Sequence, residues 1–536
     1  MTDAAASLAP SAAPTKKRTA PARWRPLLGA LLLLVLWEAG ARALVGAYVL
    51  AAPSEVVFWL VENHRLMTRA LSVTLTNAAA GFVIGNLAAV LLAAIALVWS
   101  RSEPVVTGLA LLVFCLPLVA TGPILRVFFG PGPWPQIVLA SLAVYYTTLI
   151  PLLVGLRAAP ESWFDLVRSY GRGRLAALVH VRARASLPYL FAGLQIAAPA
   201  AFLGALVGEF TGAERGMGVL TVRAMRAMDV EMTWALAAVA TAVAVLAYLA
   251  IGWIAARMLP DPPPVILSPP RLPASGRARA GTALINAALV TVCALVAWWG
   301  LLAVFDLNPF FAKRPGDVFH TLVTAPNAAV TRATLWAALG ETAVFLLPGY
   351  LAGLLAGAGL AVIVVLAPAA AGLAMPLAIA LRSVPIVTTA PLVVLLLGRG
   401  AAGTIVLVAV MVFFPTFVAC LHGLRQAPGQ VMDVLDSYAA GPLQRLLRVR
   451  IPAMLPAFFA AARMSVPAAV LAVTVVEWLS TGKGIGSLMA ISASLSNYGM
   501  LWSAVVIVSV LSALGYAGVG LIEARVLRTY APEQAR

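Results

Sequence analysis

GLRAAPESWFDLVRSYG (residues 155–171) and GLRQAPGQVMDVLDSYA (residues 423–439) are two versions of one stretch, 268 residues apart. The same offset carries residues 74–234 onto residues 342–502 without a gap. The matched positions include glycines, prolines and charged side chains: Gly81 and Gly349, Gly85 and Gly353, Pro117 and Pro385, Pro123 and Pro391, Gly130 and Gly398, Asp165 and Asp433, Glu209 and Glu477. Shared hydrophobicity alone would hardly align such residues, so the sequence predicts two fused copies of one unit.

Composition places both copies in a membrane. Of the 536 residues, 62% are hydrophobic and 11% charged, which excludes a soluble globular protein. A spanning helix needs about 20 mostly apolar residues. Twelve segments qualify, near residues 26–47, 74–99, 105–125, 134–156, 189–209, 233–256, 281–304, 342–366, 370–397, 403–424, 457–479 and 501–523. We therefore predict an all-α polytopic membrane protein, with about twelve transmembrane helices in two parallel six-helix repeats.

The units are separated by a segment without apolar periodicity. Residues 261–264, Asp-Pro-Pro-Pro, lie in it and indicate a stiff, exposed linker. The N-terminal residues are rich in alanine, proline and basic side chains, which is typical of disorder. The predicted parts are a tail (1–24), a first unit (25–256), the linker (257–280), a second unit (281–526) and a second tail (527–536).

The first span has one alternative interpretation. Residues 41–43, Ala-Arg-Ala, resemble a signal-peptidase site, so the preceding apolar segment could be a cleaved leader. Against this, Trp37 pairs with Trp299, and residues 53–56 pair with residues 315–318, at an offset of 262. A segment with a copy inside the chain is expected to be retained.

The net charge of +17 would suit a nucleic-acid partner, but the basic residues gather in alternate loops. The positive-inside rule explains that distribution better, so no nucleic-acid partner is expected. With twelve alternating spans, both termini are predicted to be cytoplasmic. Arginine greatly outnumbers lysine and alanine is abundant, which fits a GC-rich bacterial coding bias, so the expected location is the bacterial cell (inner) membrane. The three cysteines lie in separate apolar spans and the four histidines are scattered, so we predict no metal site.

The largest polar loops, residues 157–188 and 425–456, fall on the predicted cytoplasmic side. In each, apolar residues recur at helical spacing, and a break follows: Gly171 in the first loop, Gly441 with Pro442 in the second. A second apolar stripe comes after the break. This pattern predicts a rigid helix–break–helix projection, although a solvated loop would carry similar charges.

The second loop resembles the EAA loop of binding-protein-dependent ABC transporter permeases, E-A-A-x3-G-x9-I-x-L-P. Residues 433–435 stand at E-A-A and Ala439 stands at the glycine. The end of the motif corresponds to Val449, Ile451 and Pro452.

The first loop shows the same resemblance at residues 165–167, Gly171 and Val181. Here Ala183 and Arg184 replace the final Leu-Pro. Because the two loops depart from the motif differently, we expect them to contribute unequally to coupling.

The resemblance implies the membrane subunit of a bacterial importer, whose loops fit into a separate ATPase. It assigns coupling to Asp165, Ser169, Tyr170, Gly171, Val181, Asp433, Ser437, Tyr438, Ala439, Val449, Ile451 and Pro452. The implied partners are two copies of an ABC ATPase carrying ATP-Mg, an extracytoplasmic substrate-binding protein and the lipid bilayer. This chain itself is expected to bind no cofactor and to be no enzyme, since residues 481–484 lack two elements of a phosphate-binding loop.

Further residues resemble the nitrate, sulfonate and taurine branch of these permeases, namely Arg382 with Pro385, and Glu477 followed by a glycine pair. A small anion such as sulfonate, taurine or nitrate is the implied solute, with pyrimidine-type compounds next. Arg382 could contact solute or extend to the membrane interface. Glu209 and Glu477 could line the pathway or form hydrogen bonds within the bundle, and the second role is favoured.

Two other classes of function remain as alternatives. An ion-coupled secondary transporter with twelve spans would need charged residues at mid-membrane and a basic signature between its second and third spans. Only Arg101 and Glu103 lie there. A membrane enzyme or scaffold would be indicated by a converging set of Ser, His, Asp or metal-ligating residues, and the sequence contains none.

Overall fold

The computed structural model describes residues 24–44, 50–259, 276–367, 393, 397–398 and 400–530. The predicted ninth span, 370–397, lies almost entirely outside these residues, as do most of the N-terminal tail and the linker prolines.

The first half is built of eleven helices within the described part of the chain. They are α1 (Trp24–Ala43), α2 (Pro53–Glu62), α3 (His64–Val98), α4 (Glu103–Phe114), α5 (Leu118–Phe129), α6 (Trp134–Gly155), α7 (Glu161–Ser169), α8 (Arg174–Ala177), α9 (Ala183–Phe210), α10 (Met217–Ala227) and α11 (Val230–Met258). A π-helical turn, Leu178–Arg182, joins α8 to α9. The loop following α7 therefore continues directly into a long span.

The described part of the second half repeats this order, apart from α4 and α5, whose matched residues lie almost entirely outside the described part of the chain. Its helices are α12 (Gly276–Val304), α13 (Pro315–Phe319), α14 (Ala328–Leu366), α15 (Ala401–Arg425), α16 (Gly429–Ser437), α17 (Pro442–Arg445), α18 (Ile451–Val476), α19 (Gly484–Ser494) and α20 (Tyr498–Tyr530). The π turn Leu446–Arg450 joins α17 to α18, and another, Glu477–Thr481, prolongs α18. Since α20 runs to Tyr530, the tail predicted from residue 527 begins as helix.

Nine of the described helices are long and apolar enough to cross a membrane, and α4 with α5 passes the same test as a bent pair, which is the geometry of a broken span or a re-entrant loop. The helix α1 occupies the first predicted span as well. The ninth predicted span is not counted, because it lies almost entirely outside the described residues. The structure thus confirms the all-α polytopic fold and its two repeats.

The third predicted span, residues 105–125, is not one straight helix. The axes of α4 and α5 differ by 93°. The break ends at Pro117, which has extended backbone angles of φ −70° and ψ 102°. Proline has no amide hydrogen to continue the helical ladder, so α4 ends before it and α5 begins after it.

In both halves, two spans approach closely at a pair of glycines. A Cβ atom on Gly85 of α3 would lie 2.7 Å from the carbonyl oxygen of Ser141 on α6. A Cβ atom on Gly353 of α14 would lie 2.6 Å from the carbonyl oxygen of Ala409 on α15. Gly85 follows Gly81 by four residues, and Gly353 follows Gly349 by four. Small residues at this spacing let two helix backbones come into contact in membranes, so these glycines fix the crossing in each copy.

The halves interlock rather than lie side by side. Beyond its bend, α5 places Ala120 and Ile124 in a core with Ile485, Met489 and Leu501 of the second half. In return, α12 of the second half packs on α4 of the first. The two halves are therefore in contact at two places, and α5 completes a core of the second half.

The helices α2 and α13, which occupy the same position in the two repeats, begin with the same hydrogen bond. The backbone N–H of Ala52 donates to Glu55 at 2.8 Å, and that of Arg314 donates to Asp317 at 2.9 Å. An acidic residue at the third helical position caps the helix start in both copies. This agreement supports the inclusion of residues 53–56 and 315–318 in the repeat.

One predicted pair is wrong by one residue. Trp37 packs on Trp234, with ring centroids 5.2 Å apart. In the second half the stacked pair is Trp298 with Trp502, at 5.3 Å, and not Trp299. The adjacent tryptophans made the sequence register ambiguous, and only packing distinguishes them.

Candidate functional site

The short loop helices α7 and α16 stand away from the rest of the chain. Neither contains a buried residue. In α7, Trp163 and Leu166 are 49% and 57% exposed, and in α16, Val431 and Val434 are 45% and 56% exposed. Such apolar stripes normally face a packing partner. The predicted loop helices are therefore present, and each leaves an apolar face uncovered by the described chain. The end of the bundle that carries them is called the loop end below.

Both loop helices end in the same cap. Gly171 has a φ of +66°, and the next amide, Arg172, donates to the carbonyl of Val167 at 3.2 Å. In the second copy Ala439 has a φ of +49°, and Ala440 donates to Leu435 at 2.9 Å. A left-handed residue with this bond pattern is a Schellman cap. The break covers residues 438–441, with the left-handed residue at Ala439. The predicted residues lie at its end, since Gly441 is the N-cap and Pro442 the first residue of α17.

The predicted acidic residues, Asp165 and Asp433, are both exposed. Asp165 pairs with Arg168 of its own helix at 3.3 Å. In the second loop a different aspartate makes the ion pair: Asp436 contacts Arg445 at 2.6 Å.

Arg445 also fixes the path of the second loop. Its Nε donates to the carbonyl oxygen of Ala440 at 2.8 Å, so one side chain joins the cap to the start of α17. The sequence analysis missed both Asp436 and Arg445. The sequence does place an acidic and a basic residue on opposite sides of the break, and this could have indicated an ion pair.

The loop serines and tyrosines have different surroundings. Ser169 donates to the carbonyl of Leu166 at 2.8 Å, and Ser437 donates to that of Val434 at 2.7 Å. These hydroxyls therefore bond within their own helix ends. The next residues, Tyr170 and Tyr438, are 76% and 81% exposed and are available for contact.

The remaining predicted coupling residues belong to the base of each loop. Val181 lies in the π turn before α9 and is buried, with 4% exposure. Val449 occupies the equivalent turn, and Ile451 and Pro452 begin α18; all three are half-buried. These side chains connect the loop to its span and do not project with α7 or α16.

An ion pair between a partly exposed arginine and a buried glutamate secures the first loop. Arg157, which follows α6, pairs with Glu103 at the start of α4. Burial lowers the pKa of Arg157, and the positive charge of Arg182 lowers it further. Arg182 in turn lies over the ring of Phe164 in α7, 5.3 Å from its centroid.

At the opposite end of the bundle, Glu209 is buried, with 1% exposure. Thr74 of α3 donates to it at 2.7 Å, and the N–H of Gly218 in α10 donates at 2.7 Å. The N–H of Met217 donates to the Thr74 hydroxyl at 2.9 Å. One carboxyl group thus joins α3, α9 and α10.

The second half repeats this junction at an offset of 268. Glu477 accepts from Thr342 at 3.0 Å and from the N–H of Gly486 at 2.8 Å. The N–H of Ile485 donates to Thr342 at 2.9 Å. One contact is new, because Glu341 accepts from Gly484 at 2.8 Å. Both glutamates are bonded within their own half.

The threonines of the two junctions were missed by the sequence analysis. The signal was present, since Thr74 and Thr342 are matched polar residues inside apolar segments.

Two more charges were missed in the second half. Arg463 of α18 and Glu523 of α20 lie within 3.2 Å, where the first half has Gln195 and Ala255. The predicted pathway residues Arg382 and Pro385 lie outside the described residues.

Among the described residues, no three His, Cys, Asp or Glu side chains are grouped so that they could hold a metal ion. The arrangement instead offers two projecting contact surfaces and two buried junctions, which suit mechanical coupling.

The duplication also appears in comparisons with known proteins. Residues 81–260 and 349–528 each match the family described as binding-protein-dependent transport system inner membrane component. The chain belongs to this family. The two matches begin 268 residues apart, so the permease contains two family units in the register found in its sequence and structure.

The permease resembles several curated permease proteins, each over less than half of the length of this chain. It is 30% identical over 239 residues to a "Probable ABC transporter permease protein" of Haemophilus influenzae, covering 44% of this chain and 96% of that protein. It is 26% identical over 236 residues to the formylaminopyrimidine transport permease protein ThiX of Halalkalibacterium halodurans, covering 44% and 94%. It is 24% identical over 238 residues to the taurine transport system permease protein TauC of Escherichia coli, covering 43% and 86%. Less than half of this permease matches nearly all of each of the first two relatives.

Proposed function

We propose that this multi-pass permease is the complete membrane pathway of a bacterial ABC importer, with both six-helix halves supplied by one chain. The single observation that carries the proposal is the pair of uncovered loop helices, α7 and α16. Each has an exposed apolar stripe and a defined cap, and each continues into a span through a short helix and a π turn. A partner that moves these helices would therefore move the spans.

The partner is proposed to be a separate ATPase, present in two copies and carrying ATP-Mg. On this proposal the loop end is cytoplasmic, both termini are cytoplasmic and the membrane is the inner membrane. An extracytoplasmic substrate-binding protein would deliver solute to the opposite end. The family membership supports this assembly, since its description names binding-protein-dependent transport.

The solute is proposed to be a small anion such as sulfonate, taurine or nitrate. The likeness to the taurine permease supports this class. A second candidate is a formylaminopyrimidine-type compound, because the permease for that solute is covered over 94% of its length. Stabilisation of the partner binding protein by taurine, nitrate or an aminopyrimidine would distinguish the two candidates.

The ATPase contact can be tested by co-purification from native cells. The double variant L166D/V434D places a charge on each exposed stripe, and ATP hydrolysis retained by the tagged chain should fall about tenfold. L495D is the matched control, since Leu495 is 74% exposed at the opposite end of the bundle. Full retention of ATPase activity by L166D/V434D would count against the proposal. Solute uptake driven by an ion gradient without ATPase would favour a secondary transporter.

A further inference from the structure

A cavity of about 290 Å³ opens at the loop end of the second half. It lies between the ends of α14 and α15 and the base of the second loop. Its walls combine apolar side chains, among them Val364, Leu424 and Met432, with two arginines, Arg425 and Arg450. No acidic residue lines it among the described residues.

The first half contains the same two arginines, at Arg157 and Arg182, and both have partners. Arg157 is paired with the buried carboxylate of Glu103. Arg182 lies 5.3 Å from the centroid of the Phe164 ring. On this side one arginine is therefore neutralised by a carboxylate, and the other lies over an aromatic ring.

Both partners are replaced in the second half. At the offset of 268, Ala371 stands for Glu103 and Met432 stands for Phe164. Within the described residues, neither Arg425 nor Arg450 forms a hydrogen bond or an ion pair. The sequence of residues 368–392 contains no aspartate or glutamate that could take the place of Glu103. Among the described residues, two guanidinium groups thus line one cavity without a matching negative charge.

We propose that Arg425 and Arg450 bind a phosphate group in this cavity, that of an anionic phospholipid headgroup. Guanidinium groups form paired, charge-assisted hydrogen bonds with phosphate oxygens. The cavity adjoins the ends of two spans, α14 and α15, which is the depth of lipid headgroups. Val364 and Leu424 offer apolar contact for the adjoining part of a lipid. Free phosphate has the same recognition chemistry but would make no use of these walls.

An acidic side chain of a docked subunit is the other source of negative charge. Two identical subunits would present that side chain to both loops. On the first loop it would meet Arg157 already paired with Glu103. Unpaired arginines occur in the second half only, whereas two identical subunits would make the same contact with both halves. A bound lipid therefore fits this arrangement better than a docked subunit does. The lipid site is independent of the proposed solute. Met432 belongs to α16, the proposed ATPase contact, but lipid binding is measured on the purified chain, where no ATPase is needed.

Native mass spectrometry of the purified full chain tests the proposal, with phosphatidylglycerol, phosphatidylcholine and inorganic phosphate as probes. We expect one tightly held phosphatidylglycerol per chain and at least about tenfold weaker binding of it by R425Q/R450Q. The matched control is R168Q, because Arg168 is an exposed loop arginine of the first half. It should bind the lipid like the wild type.

A reciprocal variant tests the reason for the asymmetry. E103Q/F164M removes both partners of Arg157 and Arg182, so bound phosphatidylglycerol should rise from one to two per chain. Unchanged lipid binding by R425Q/R450Q, or an equal loss in R168Q, would overturn the proposal. Arginine-dependent binding of inorganic phosphate without phosphatidylglycerol would overturn the lipid source. A single bound lipid in E103Q/F164M would overturn the pairing argument.

Discussion

Thr74 donates a hydrogen bond of 2.7 Å to Glu209, although 135 residues separate the two in the chain. The same hydroxyl accepts the N–H of Met217, so it bonds on both sides. Both side chains are at most 1% exposed. Since a buried polar group is costly when unpaired, the threonine and the glutamate stabilise each other's burial.

Replacing Thr74 by valine should destabilise the permease. Valine has the same shape but leaves an oxygen of Glu209 and the N–H of Met217 without their partner. We expect the free energy of unfolding to fall by about 1–3 kcal/mol, measured by tryptophan fluorescence during denaturation in detergent. Thr76→Val is the control, because the Thr76 hydroxyl is exposed and bonds only to Ser72. Equal stability of the two variants would contradict the role of the junction.

The glycine beside this junction should be harder to replace. Gly216 has a φ of +133°, and a Cβ atom there would overlap the carboxyl group of Glu209. Gly216→Ala should therefore lower the unfolding free energy by about 2–4 kcal/mol in the same assay. Gly359→Ala serves as control, because Gly359 is helical and has open space around it. A Gly216→Ala protein as stable as Gly359→Ala would show that the carboxyl group moves aside freely.

Much of the fold followed from sequence, because the repeat and the apolar lengths are properties of the chain itself. The partners of Glu209 and the 93° bend at Pro117 did not follow, for a physical reason. A span's neighbour and the angle after a proline depend on packing between helices, which a one-dimensional pattern does not contain. The loop acid shows the same limit: motif spacing selected Asp433, whereas the ion pair uses Asp436, since Arg445 folds back towards it.

The two caps allow a reciprocal test of backbone strain. Ala439 holds the left-handed conformation that Gly171 adopts without a steric penalty. Ala439→Gly should relieve roughly 1 kcal/mol of backbone strain. The cap should then open less often, so amide hydrogen exchange at Ala440 should become slower. Gly171→Ala should introduce a similar strain energy at the first cap, so amide hydrogen exchange at Arg172 should become faster. Gly173→Ala is the control, since Gly173 has no positive φ and a Cβ atom added there would meet nothing within 4 Å. Faster exchange in Ala439→Gly, or slower exchange in Gly171→Ala, would refute this interpretation.

The exposed tyrosines should affect coupling and leave stability alone. Tyr170→Ala and Tyr438→Ala should each change the unfolding free energy by less than about 0.5 kcal/mol, because both rings face outward. Given the proposed ATPase contact, both variants should lower solute-stimulated ATP hydrolysis in proteoliposomes. We expect the larger loss at Tyr438, because Arg445 holds the second loop more firmly. Equal losses would contradict unequal coupling.

Joining both units in one polypeptide has an evolutionary consequence. In a pore made from two identical chains, every mutation is inherited on both sides at once. Here Glu103 is matched by Ala371, and Gln195 by Arg463. Each half can change without changing the other, so a single gene can specialise one flank of the pore for a task that the other never acquires.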